Sequence, residues 1–335
     1  MSAFLDTILL LALPASGKSE TRRYMESLTP DQCKNDMCMG PTLQLDDYPY
    51  VHFMHRIDDE LKKRGWNYIF YGGPERPFLD AFTWGTLIEL LNEDYDDLLK
   101  NKIYEVPSAA QFLFDRLDNA MAKVGLERQM DKIPYGIRRD VAEAMEAETR
   151  EHLIEKNKVS AQDKTGKTVV IEMARGAVNG SAFPVTPPNG YQYSITQFSH
   201  DILSRSGILY IWVTPEQSRQ KNYERARPDG QSSILNHGVP LEVMLGQYGC
   251  DDIDYLISLS DKKDTIKVEK AFETTKNGKR VYDTKAYHLP IAKFDNREDL
   301  TTFVREDKSK WNKADVQKIH NGLSNALKSL KAKML

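Results

Sequence analysis

Long apolar runs are scarce in this 335-residue chain. The strongest near its start, Ile8 to Leu13, is far short of the ~20 residues that span a bilayer. No basic segment precedes it and Asp6 stands before it, which makes it a poor secretory leader. Cysteine is also sparse. Cys33, Cys38 and Cys250 form an odd set with no disulfide framework, which fits a reducing, cytoplasmic setting better than secretion. Cys33 and Cys38 have no second pair and no nearby histidines, so zinc is not indicated. An excess of one charge is missing too. Lys and Arg total 46 against 49 Asp and Glu, a net of −3. That excludes a strongly basic nucleic-acid coat protein and leaves only local patches. No internal repeat or low-complexity tract is present. What remains is ordinary globular material, 40% apolar and 28% charged, enough for a core. The length suits two units, or one domain with a large insertion.

Periodicity divides the chain. Residues 4–13 are almost continuously apolar after Asp6, the pattern of a central parallel strand covered on both faces. Residues 41–46 and 67–71 read as short strands. Residues 51–64 have helical spacing, with Val51, Met54, Ile57 and Leu61 on one face. From 73 to 160 long charged helical patterns dominate, at 78–100, 108–124 and 137–157. Between Pro74 and Ser160 stand 18 acids and 12 bases, a net of −6. Strands follow at 168–173 and 207–214, with a Gly/Pro/Asn-rich loop (175–190) and a helix (194–206) between them. A helix over 216–226 and a fifth strand over 254–260 come next. Asn277-Gly278, flanked by alternating residues, signals a hairpin within 268–293. The segment 306–335 carries seven lysines and three acids, a net of +4. Within it, 312–334 reads as an amphipathic helix whose apolar stripe docks on its own domain. Strands alternating with helices predict an α/β domain with a parallel sheet, in which ligands sit at the carboxyl ends of the strands.

One motif falls at such an end. Residues 12–19, Ala-Leu-Pro-Ala-Ser-Gly-Lys-Ser, match the phosphate-binding loop, with Ala12 where the first glycine is usual. In that loop successive backbone N–H groups form a nest for phosphate oxygens. Pro14, Ala15, Ser16, Gly17, Lys18, Ser19 and Glu20 are therefore the expected phosphate-binding residues. Gly17 permits close approach, Lys18 reaches the β- and γ-phosphates, and the Ser19 hydroxyl binds Mg2+. The helix that follows aims its positive end at the same anion.

The phosphate loop, Asp46-Asp47-Tyr48 and a basic helix after an apolar strand together resemble the P-loop kinases. Within them the chain is similar to the branch of uridine kinase, polynucleotide kinase and zeta-toxin-like enzymes. The resemblance covers about half the chain. It implies a three-layer P-loop NTPase fold with a mainly parallel five-stranded sheet. Residues 1–72 and 161–265 would form the nucleotide-binding core. A helical insertion over 73–160 would bind the acceptor or form a cap, and 266–335 would be a hairpin-plus-helix extension. The implied cofactors are ATP and Mg2+. An acid at the end of the second strand is implied as the base that accepts the acceptor's proton. Asp46 is favoured and Asp47 comes next, since neighbouring strand residues face opposite ways. Glu172 takes the position of an acid that holds water on Mg2+. Arg175 and Tyr48 are candidate substrate contacts, Arg175 because a guanidinium clamps polar groups through paired hydrogen bonds. Arg219, Lys221, Arg225 and Arg227 fall where such kinases have a cationic lid, with Arg225 and Arg227 preferred as catalytic residues.

The expected activity is transfer of the γ-phosphoryl of ATP to a hydroxyl of a small molecule. The acidic insertion argues against a nucleic-acid acceptor, which needs compensating cations. A nucleotide-dependent switch or ATPase acting on a protein or nucleic-acid partner is the alternative, motivated by the long insertion and basic tail. A GTPase is disfavoured. Asp261 stands where guanine recognition needs Asn, and the Asp-x-x-Gly string at 163–166 precedes its strand. His52 and His55 read as ordinary helix positions, and Phe78, Phe82 and Trp84 as core.

Overall fold

A computed structural model describes residues 4–225, 238–276 and 278–334. The apolar run near the start becomes β1 (Thr7–Leu11), every residue of it buried. It is central because nothing on it needs water. β3 (Thr168–Met173) and β4 (Ser206–Trp212) flank it in parallel, and β2 (Thr42–Asp46) lies parallel beyond β3. On the other side β6 (Lys279–Asp295) runs parallel to β4 and antiparallel to β5 (Thr265–Lys276). The result is one mixed, mostly parallel sheet in the order β2-β3-β1-β4-β6-β5.

The helices, in chain order, are α1 (Lys18–Glu26), α2 (Pro30–Met37), α3 (Tyr48–Lys63), α4 (Thr83–Leu99), α5 (Ala109–Lys123), α6 (Tyr135–Ser160), α7 (Gly190–Gln197), α8 (His200–Arg205), α9 (Pro215–Arg225), α10 (Leu241–Gln247), α11 (Ile253–Leu259) and α12 (Lys313–Lys333). Alternation along β1 sends its side chains to two cores. Leu9 and Leu11 meet α4, α7, α8 and α11 on one face. Ile8 and Leu10 meet α1, α2 and α12 on the other. A third cluster joins α3 to α4, α5 and α6. Among the described residues no helix is long and apolar enough to cross a membrane.

Several expectations change. The sheet has six strands, not five. The predicted fifth strand, 254–260, is α11. Ile253 and Leu256, three apart, are its buried residues, while Leu259 is exposed. A seven-residue apolar segment suits either period, and packing against the sheet chose the helix. The neighbour of β4 is instead β6, the second arm of the expected hairpin, so 266–335 completes the sheet. Gly278 (φ 75) serves that turn, where Lys276 pairs with Lys279. The predicted strand at 67–71 is only an isolated bridge between Tyr71 and Phe78. The predicted helix 194–206 is two short helices, with Ser199 capping α8 through Ile202 N–H. α12 docks as expected, burying Ile319, Leu323, Leu327 and Leu330. The insertion is not a separate cap, because Ile88, Leu91, Tyr95 and Leu98 of α4 belong to a sheet-face core.

Candidate active site

The phosphate-loop motif lies between the carboxyl end of β1 and α1, as its spacing requires. Ala15 (φ 56) and Gly17 (φ 97) adopt left-handed conformations. A Cβ on Gly17 would lie 2.4 Å from Thr301 Oγ1 and 2.5 Å from Asn296 Nδ2. Both backbone angle and space therefore demand glycine. Asn296, wholly buried after β6, donates to Ser16 O and to Thr301 Oγ1, each at 2.8 Å. Ser218 of α9 donates to Pro14 O at 2.7 Å. The loop is thus held from two sides.

Five side chains converge just beyond it. Ser19 Oγ donates to Glu172 Oε1 at 3.4 Å, and Lys18 Nζ lies 3.9 Å from the same oxygen. The β2–β3 register sets Asp46 directly beside Glu172. Arg22, one turn along α1 from Lys18, bridges them, 2.9 Å from Asp46 Oδ2 and 3.2 Å from Glu172 Oε2. Burial, and next the Asp46 charge, push the Glu172 carboxyl up to about 7 despite Lys18 and Arg22. Two adjacent carboxylates with a serine hydroxyl form a place where a cation is welcome.

Asp46 and Asp47 face different partners. Asp46 Oδ1 accepts from Tyr48 N–H at 2.9 Å, and its side chain is about a quarter exposed. Asp47 is buried and pairs with Arg175 at 2.6 Å. Burial raises the Asp47 pKa although Arg175 opposes it. Arg175 also donates to Ser194 Oγ at 3.0 Å and lies over the Trp84 ring at 4.6 Å. It is a buried strut between β3, α3, α4 and α7.

Of the predicted lid cations, Arg225 reaches the site, 2.8 Å from Glu20 Oε1. Glu20 does not offer its carboxylate to phosphate. It is buried and receives Arg225 and Arg305, which together hold its pKa down against the upward push of burial. Arg219 turns away to Asn179, Gly249 O and Glu216. Lys221 meets Asp299 at 3.1 Å. Arg227 lies outside the described residues. His52 pairs with Glu148 and His55 stacks on Tyr71. Phe78 and Trp84 are core, whereas Phe82 is partly exposed.

Sequence reasoning missed Arg22, Asn296, Thr301 and Arg305. Arg22 was findable, since it falls three and four residues after Ser19 and Lys18 on one helix face. The other three carry no local signal. An open cleft of about 620 Å³ lies beside the loop, lined by Thr214, Gln217, Asp295, Arg297, Glu298 and Leu300. No family model, no curated protein and no solved structure matches the chain.

Proposed function

We propose that the chain is an ATP-dependent phosphotransferase of P-loop kinase type, acting on a hydroxyl of a small-molecule acceptor. One observation carries the reading: Lys18, Ser19, Arg22, Asp46 and Glu172 converge at the carboxyl ends of three adjacent parallel strands, directly after a left-handed phosphate-loop turn. The order β2-β3-β1-β4, with helices on both faces, supports the fold assignment.

The residues fit Mg2+. Glu172 Oε2 is buried without a hydrogen bond, beside the Ser19 hydroxyl and Asp46. Among the described residues no group of three or more His, Cys, Asp or Glu forms a cage by itself. Mg2+ held by Ser19 and Glu172 would neutralise phosphate charge. The loop N–H groups and Lys18 hold the β- and γ-phosphates, and Arg225 stabilises the charge that develops on transfer. The nucleoside would occupy the cleft between the ends of β4 and β6.

Asp46 is the better general base. Both aspartates pair with an arginine, Asp46 with Arg22 and Asp47 with Arg175, but Asp46 is the partly exposed one at the strand ends while Asp47 is buried. Asp46 takes the acceptor's proton as the oxygen attacks the γ-phosphorus and ADP leaves. The test is ATP consumption against a panel of hydroxyl compounds with Mg2+. Turnover with one class of acceptor, absent in Asp46→Asn, is expected. Failure of every acceptor with ATP bound would overturn the transferase reading.

A further inference from the structure

Lys18, Arg22 and Arg225 are cations that the motif, its helix or the basic helix after β4 would supply. Arg305 is not. It ends a single 3-10 turn (Thr302–Arg305), 285 residues after Glu20 in sequence. Its Nε donates to Glu20 Oε1 at 2.6 Å, the same oxygen that receives Arg225 at 2.8 Å. One buried carboxylate therefore holds two guanidinium groups, leaving a local excess of one positive charge (two cations against one anion). Arg225 Nε and Glu20 Oε2 are buried with no hydrogen-bond partner. Arg305 keeps about 29% of its side chain exposed. Its backbone is tied to the same helix, because Arg23 donates to Arg305 O at 2.9 Å. The segment that carries Arg305 also carries Asn296, which donates to the Ser16 carbonyl of the loop, and Thr301, which accepts from Asn296.

We propose that Arg305 is a nucleotide-binding residue, held with Arg225 by Glu20 as a two-arginine clamp on the phosphate chain of the bound nucleotide. Glu20 is the positioning residue. It fixes both guanidinium groups one residue beyond Ser19, and their remaining N–H groups serve the anion. Arg305 approaches from the β6 side, where the nucleoside cleft lies, so it acts on the phosphates nearer the nucleoside. Arg225 serves the transferring end. The inference rests on the ATP-binding reading above.

Titration calorimetry of the full chain with Mg·ATP and Mg·ADP tests it, using wild type, Arg305→Ala, Arg305→Lys and Arg225→Ala. Arg305→Ala weakens ATP and ADP alike by about tenfold or more. Arg305→Lys falls between it and wild type, and is read alone if the alanine variant does not fold. Arg225→Ala weakens ADP less than Arg305→Ala does. A merely structural tie would lower the melting temperature and leave both affinities in place. ATP and ADP affinities within twofold of wild type in a folded Arg305 variant would overturn the clamp alone. Absence of ATP binding by wild type would overturn the clamp together with the reading beneath it.

Discussion

Two clusters in this molecule use the same side chains for opposite ends. At the strand ends, Lys18, Arg22, Arg225 and Arg305 face Glu20, Asp46 and Glu172. Inside the helical layer, Arg116 and Lys156 face Asp94, Asp97 and Glu93. The inner cluster is closed. Arg116 is 2.6 Å from Asp94 and 2.9 Å from Glu93, and it donates to the Tyr50 hydroxyl at 3.0 Å. Lys156 lies 2.8 Å from Asp94 and 2.7 Å from Asp97. These groups bind one another and fix how α3, α4, α5 and α6 pack. The outer cluster is strained electrostatically. Its carboxylates crowd, Glu172 is pushed up to about 7, and its cations stand beside the loop between β1 and α1. Charged residue types alone do not mark a site. Position at the carboxyl ends of parallel strands is what sets the outer cluster apart.

The largest effect expected on the inner cluster comes from Arg116→Met. It leaves Glu93 and the Tyr50 hydroxyl without their buried partner and should cost about 3–5 kcal/mol of stability. Chemical denaturation measures it, with ATP affinity unchanged in the folded fraction. A loss below about 1 kcal/mol would break the contrast. On the outer cluster, Asp46→Asn should lower transfer by about 10²–10³-fold with stability nearly intact. Asp47→Asn should instead lower the melting temperature, since it strips Arg175 of its charge partner. Reversed behaviour of the two would exchange their roles.

A third effect is pH-dependent. Burial, helped by Arg116 and Lys156, holds the His152 pKa down to about 4. The neutral ring is thus favoured by the fold. That stability is full above the unfolded value near 6.5 and is lost as pH falls from there towards 4. It amounts to about 3 kcal/mol at most. Denaturation midpoints between pH 7 and 4 should show wild type losing stability relative to His152→Phe as pH falls. Parallel curves would remove His152 from the account.

The legible parts were local. β1, the loop and α1 are contiguous, so apolar run, turn and motif could be read together, and β3 was bounded correctly at 168–173. α11 was misread because seven residues do not distinguish a period of two from one of 3.6. β6 was recognised as a hairpin arm, but its place beside β4 depends on a pairing of residues about 80 positions apart. The same distance problem hid Asn296 and Arg305, whose partners Ser16 and Glu20 are some 280 positions away, and with Asn296 the Thr301 hydroxyl that it meets. Arg219 was grouped with Arg225 as a lid cation, yet it lies six residues earlier on α9 and turns towards Asn179 instead.

The central claim is that the strand-end cluster binds ATP at the phosphate loop. Calorimetric titration of Mg·ATP into wild type and Lys18→Ala tests it most directly. The account predicts saturable binding by wild type and a loss of about tenfold or more in the variant, with the melting temperature of the free proteins unchanged. No binding by wild type, or equal binding by both proteins, would contradict it.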